Sequence, residues 1–147
     1  MSDEFDLERF VRSQDAGGTY TQALAELRNG RKVSHWMWFV FPQIAGLGRS
    51  ATAREFALSS VREAQAYLGH EVLGPRLRES TAVVAALGGR TAVQVFGSVD
   101  ALKLRSSMTL FSVAAPEEPV FAQVLHTFFA GQPDQASLDL IDKQHNP

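Results

Sequence analysis

Two short stretches concentrate the side chains that could do chemistry. The first is His35 to Ser50, "HWMWFVFPQIAGLGRS". Within it His35 and Gln43 can make directed hydrogen bonds, and Trp36 or Trp38 can present a flat face to a planar ligand. Histidine also titrates near neutrality when unperturbed, so His35 is the first candidate for a general acid or base. The same aromatics can equally be core, since Trp and Phe are mostly buried in globular proteins. Trp36 and Trp38 are two positions apart. On a helix they diverge by about 200°, so at most one of them faces a ligand there. The stretch closes on "GLGRS", Gly46 to Ser50, where Arg49 supplies charge and Ser50 a hydroxyl for an anion. Its spacing is neither a P-loop nor a dinucleotide fingerprint, and an ordinary turn explains it equally.

The second stretch is Ser98 to Ser112, "SVDALKLRSSMTLFS". On a helix Asp100, Lys103 and Ser107 form one stripe. Lys103 lies among apolar neighbours, and a partly buried lysine needs a partner; Asp100 is the nearest in sequence. With Ser106 and Ser107 the stripe could hold a phosphate or carboxylate. The competing view is an intrahelical ion pair, with small serines that let helices pack closely.

The remaining polar residues exclude more than they suggest. There is no cysteine, which removes disulfides, thiolate catalysis and cysteine-bound metals. The four histidines, His35, His70, His126 and His145, have no metal-binding spacing, so no metal and no cofactor is expected. Net charge is −2, which provides no general attraction for a nucleic acid polymer. Arg28, Arg31 and Lys32 read as a solvated helix end. Arg76, near a helix start, is electrostatically misplaced and hints at a partner. No run is long enough to span a bilayer, and "MSDEFDLERF" is not a signal peptide, so a cytoplasmic address is expected.

What must position these residues is a set of short helices. The chain has 147 residues, the size of one domain over 1–147, with ends expected to fray at 1–4 and 144–147. Apolar spacing predicts helices over Asp6–Asp15, from Tyr20 to the Asn29-Gly30 stop, over Thr52–Leu58, and from Val61 past Leu68; His35 to about Phe41 reads as a short helix or irregular turn, with a strand as the alternative. Further helices are predicted from Pro75 to Leu87, from Ser98 to about Val113, from Pro119 to Gly131, and from Asp134 to about Lys143. Capping boxes are expected at Thr19–Gln22 and Ser60–Glu63, and simple caps at Ser34, Ser98 and Asp134. Thr91–Phe96 is the best strand candidate but is equally compatible with a helix. The expected fold is all-α: an irregular bundle of seven to nine short helices with little or no β.

Several segments together resemble one family. "YTQALAELRNGRKVSHWMWFVFPQIAGLGRS", "EAQAYLGHEVLGPRLRE", "VFGSVDALKLRSSMTLF" and "PVFAQVL" are similar to the bacterial domain of unknown function 1810, over nearly the whole chain. The resemblance implies a compact, mainly helical domain and no established activity. A calpastatin-like role, sometimes attached to such sequences, has no physical support, because inhibitory segments of that type are disordered and polar.

Two functions fit these residues. One is a site for a small anionic, planar metabolite such as a nucleotide, with hydrolysis or group transfer as the reaction class if the ligand is turned over. His35, Trp36 or Trp38, and Gln43 would form its wall, and Arg49, Ser50, Lys103, Ser106 and Ser107 its anion seat. The other is a non-catalytic protein-interaction module, marked by an exposed apolar patch. Convergence of His35, Gln43 and Lys103 on one concavity would favour the first; if they point apart, or are each saturated by local backbone, it fails.

Overall fold

The computed structural model describes residues 3–145. Seven helices have eight or more residues: α1 (Glu8–Asp15), α2 (Thr19–Arg28), α5 (Val61–Gly69), α6 (Leu73–Ala85), α8 (Ser98–Ala114), α9 (Pro119–Phe129) and α10 (Gln135–His145). Three single-turn helices lie between them: α3 (Met37–Val40), α4 (Ala51–Glu55) and α7 (Ala92–Phe96). The only β pairing among the described residues is an isolated parallel bridge between Ile44 and Leu58. The expected all-α bundle is therefore the observed architecture. No described helix is long and apolar enough to cross a membrane.

α8 is the central element. It buries Ala101, Leu104, Met108, Leu110 and Phe111, and also the small polar Ser106, Ser107 and Thr109. A helix apolar or small on nearly every side must be surrounded, and α5, α7, α9 and α10 all pack on it. α6 closes the opposite side against α2, α5 and α9. An aromatic file runs through the core, Phe121 to Phe111 (5.6 Å), Phe111 to Tyr67 (5.7 Å) and Tyr67 to Phe10 (5.2 Å). These tilted and edge-on contacts add to plain area burial.

Local signals were met unevenly. Thr91–Phe96 is helical, and Thr91 and Gln94 form a complete capping box there. Asp134 caps α10 by accepting from the Ser137 amide. At Ser60 half of the expected box forms: its hydroxyl accepts from Glu63 N, while the Glu63 carboxylate accepts from Ser59 N and Oγ instead. The box at Thr19 does not form. Gly17 and Gly18 have φ of 61° and 70°, so Gly18 is the cap and Thr19 is already helical. Its hydroxyl turns back to the Ala16 carbonyl. Ser98 is likewise inside α8, behind Gly97, and caps nothing. Ser34 does not cap α3, which begins at Met37; its hydroxyl donates to Glu26 instead.

Arg76 has its partner within the chain. Its guanidinium reaches Asp15 at 2.8 Å and donates to Gln14 Oε1 at 3.2 Å, so the hint of an external partner is withdrawn.

Candidate functional site

The site is assembled around residues 31–36, the irregular link after α2. Such a link has backbone amides that need acceptors, and Glu26 supplies them. Its carboxylate, buried in the fold, accepts from Val33 N (2.7 Å), Ser34 N (3.0 Å), the Ser34 hydroxyl, Trp36 Nε1 (2.9 Å) and Gln22 Nε2 (3.1 Å). Burial alone would raise its pKa. The hydrogen bonds from Ser34, Val33 and Trp36 outweigh that and hold it down to about 2. Lys32 N donates to the Val95 carbonyl at 2.7 Å, which fastens the same link to α7.

Held this way, the Lys32 side chain runs inward and is only 7% exposed. Its ammonium meets Asp100 Oδ2 at 2.9 Å and donates to the Ser34 carbonyl at 2.6 Å. Lys103, one turn along α8, donates to Asp100 Oδ1 at 3.0 Å. Each lysine also lies over an indole ring: Lys103 Nζ is 3.9 Å from the Trp38 centroid, and Lys32 Nζ is 5.1 Å from that of Trp36. Burial pushes the Asp100 pKa up, but the two ammonium groups win and keep it below the ordinary carboxylate value.

Two cations thus share one carboxylate at the wall of a small cavity. It measures about 70 Å³ and is lined by Lys32, His35, Trp36, Met37, Trp38, Asp100 and Lys103. Glu26 lies behind the Trp36 indole and balances the wider shell, but its oxygens are occupied by the five donors. At the cavity wall itself the contact charges are two positive and one negative. Lys103 has three N–H donors, of which Asp100 takes one. The volume suits a phosphate- or carboxylate-sized group; drug-sized ligands need about 300 Å³ or more.

Four of the nine expected site residues meet here: His35, Trp36, Trp38 and Lys103. His35 is exposed and also borders an open groove of about 610 Å³ beside Thr19, Thr21 and Gln22. Trp36 is fully buried, with its ring edge committed to Glu26, so it offers no stacking face. Trp38 has Lys103 over its ring and is also part of the wall of a second cavity, of about 120 Å³. Gln43 lines that second cavity with Gly46, Leu47 and Gly48, not the lysine cavity, so the three-way convergence with His35 and Lys103 does not occur.

The other four are elsewhere. Arg49 is exposed and lines neither cavity. Ser50 accepts from Ala53 N and caps α4. The Ser106 hydroxyl is shared between the Leu102 carbonyl and Asp134 Oδ2, toward α10. Ser107 is fully buried, with no hydrogen-bond partner for its hydroxyl. The helical period explains the split: Ser106 and Ser107 lie three and four positions beyond Lys103, but α10 covers the former and the core the latter.

Lys32 and Asp100 complete the site. Asp100 was legible as the partner of Lys103. Lys32 was not: it read as part of a solvated basic cluster, and its burial depends on Asp100, 68 positions further along the chain. No local signal marks it.

The family model for "Protein of unknown function (DUF1810)" matches residues 4–141. The chain belongs to the DUF1810 family. The crystal structure of the conserved hypothetical protein Rv1873 from Mycobacterium tuberculosis is similar to it, with 47% identity and a TM-score of 0.92. The similarity covers 95% of this chain and 99% of that one. No curated protein matches the chain. Membership of DUF1810 agrees with the resemblance of the quoted segments and brings no activity with it, so any function rests on the geometry above.

Proposed function

We propose that this DUF1810 protein binds one compact anionic group, of phosphate or carboxylate size, between Lys32, Lys103 and His35. The observation that supports it is the sharing of the single Asp100 carboxylate by two largely buried ammonium groups. A buried cation is costly unless compensated. Here Asp100 and Glu26 balance the two ammonium groups, and what is left for an incoming anion is the set of Lys103 N–H donors that Asp100 does not take. Lys103 brings unused N–H donors, and exposed His35 stands at the rim.

Binding rather than turnover is the better supported class. Among the described residues no serine hydroxyl is free at this wall: Ser106 and Ser107 point elsewhere, and Ser34 donates to Glu26. A nucleotide base has no free indole face in the lysine cavity, so the planar part of the ligand drops out of the proposal. A specific observation favours one other role. Lys32–Asp100 joins residues 31–36 to α8, and a purely mechanical tie would need no ligand.

Thermal unfolding with inorganic phosphate, acetate and AMP separates the two. At 100 times its dissociation constant a ligand stabilises by about 2.7 kcal/mol. Phosphate also stabilises proteins non-specifically, so Lys103→Met is the control. The expected result is stabilisation by phosphate, no stronger effect from AMP, and loss of the response in Lys103→Met. Equal responses in both proteins would leave only the mechanical tie.

A further inference from the structure

Exposed apolar side chains are sequence neighbours of the residues that line the lysine cavity. Five large hydrophobic residues are notably exposed among the described residues, and four of them adjoin this cluster. Val33, 73% exposed, directly follows Lys32. Val99 and Leu102, 65% and 64% exposed, directly precede Asp100 and Lys103. Val93, 57% exposed, is on α7, the helix whose Val95 carbonyl anchors the Lys32 amide. On α8, Val99 is one turn from both Leu102 and Lys103, so the apolar pair flanks the charged face. Singly scattered apolar residues need no explanation, but a patch rimming a polar site does.

We infer that the anion is a carboxylate carried by a polypeptide: an Asp or Glu side chain, flanked by apolar residues, that docks on this face of α8 and residues 31–36. The inference rests on the anion-binding proposal and names its source. Charge complementarity decides the centre of the contact, because the Lys103 ammonium keeps N–H donors that a carboxylate can accept. Size agrees, since a cavity of about 70 Å³ takes the head group and little more. The form of the apolar surface decides against a free amphiphile. An acyl chain needs an enclosing groove, whereas these four residues stand well out of the surface. That suits a broader partner surface with one charged anchor, which inverts the usual apolar core and polar rim and makes the desolvated charge pair the hot spot.

A display library of short peptides with a fixed central Glu, and a matched library with Gln there, tests it directly. Selection would use the intact protein, with Lys103→Met for counter-selection. The best peptides would then be measured by titration alongside acetate and phosphate. Expected is enrichment only from the Glu library, with apolar residues beside the Glu, and binding at least about tenfold tighter than acetate. Leu102→Ser and Val99→Ser, both on exposed positions, should weaken peptide binding about tenfold and leave acetate and phosphate unchanged. If acetate and phosphate bind through Lys103 but no Glu peptide is enriched, or if the serine variants bind peptide normally, the polypeptide inference is overturned and the anion site stands. If neither acetate nor phosphate responds to Lys103→Met, the anion site falls, and this inference with it.

Discussion

Five donors converge on Glu26, and that single carboxylate organises the link that carries Lys32, Ser34, His35 and Trp36. Its pKa is depressed from 4.5 to about 2, so it stabilises the fold above the unfolded value and loses that contribution as pH falls toward 2. The interval corresponds to about 3 kcal/mol. Urea unfolding measured between pH 6 and pH 2 should show that decline, and Glu26→Gln should flatten a corresponding part of it while lowering stability at pH 6. Ser107 is the opposite case. Its hydroxyl is buried and unpartnered, so Ser107→Ala removes an uncompensated desolvation. It should be neutral or stabilising by about 1 kcal/mol, and phosphate binding should be unchanged. A large loss of either would show that the hydroxyl has a partner in solution.

At the scale of elements, the turn from α5 into α6 depends on Gly74. A Cβ there would lie 2.1 Å from the Leu68 carbonyl oxygen, which is backbone and cannot swing away. Gly74→Ala should cost about 3 kcal/mol by overpacking, read as a lowered midpoint in thermal unfolding. On α7 the complete capping box makes Thr91→Ala worth about 1 kcal/mol, and because α7 anchors Lys32 N, that change should also loosen residues 31–36 in hydrogen exchange. These elements show what was legible beforehand. Helices were visible wherever apolar residues recur every three or four positions, as in α2, α6 and α9. Asp134 and Pro119 marked the starts of α10 and α9 correctly because capping is local. Thr19, Ser34 and Ser98 misled because capping also depends on what precedes the helix: Gly18 takes the cap of α2, Gly97 that of α8, and Glu26 captures Ser34. The candidate site divides the same way. Lys103 with Asp100 is a helical neighbour pair and could be read. Lys32 with Asp100, and the diversion of Gln43 to the second cavity, are long-range facts with no local period.

For the whole molecule, arginines hold the periphery to the core. Arg9 of α1 donates to the carbonyls of Glu55, the last residue of α4, and of Ala57 just beyond it, and pairs with Glu63 of α5 at 3.0 Å. Arg78 of α6 grips Glu118 before α9 and the Leu68 carbonyl. Glu63 is almost fully buried, so Arg9→Ala strands a buried charge and should cost about 3 kcal/mol in urea unfolding. A small net negative charge provides no long-range pull on anions. The proposed anion affinity therefore rests on the few contacts at Lys32 and Lys103, and the two tryptophans beside them are the only ones in the chain. A nitrogen-15 NMR titration with inorganic phosphate, following the two indole N–H resonances, tests that claim most directly. The expected result is a saturable shift of the Trp38 resonance, whose ring carries Lys103, that disappears in Lys103→Met. Indole resonances that stay still to saturating phosphate, or that move identically in Lys103→Met, would contradict it.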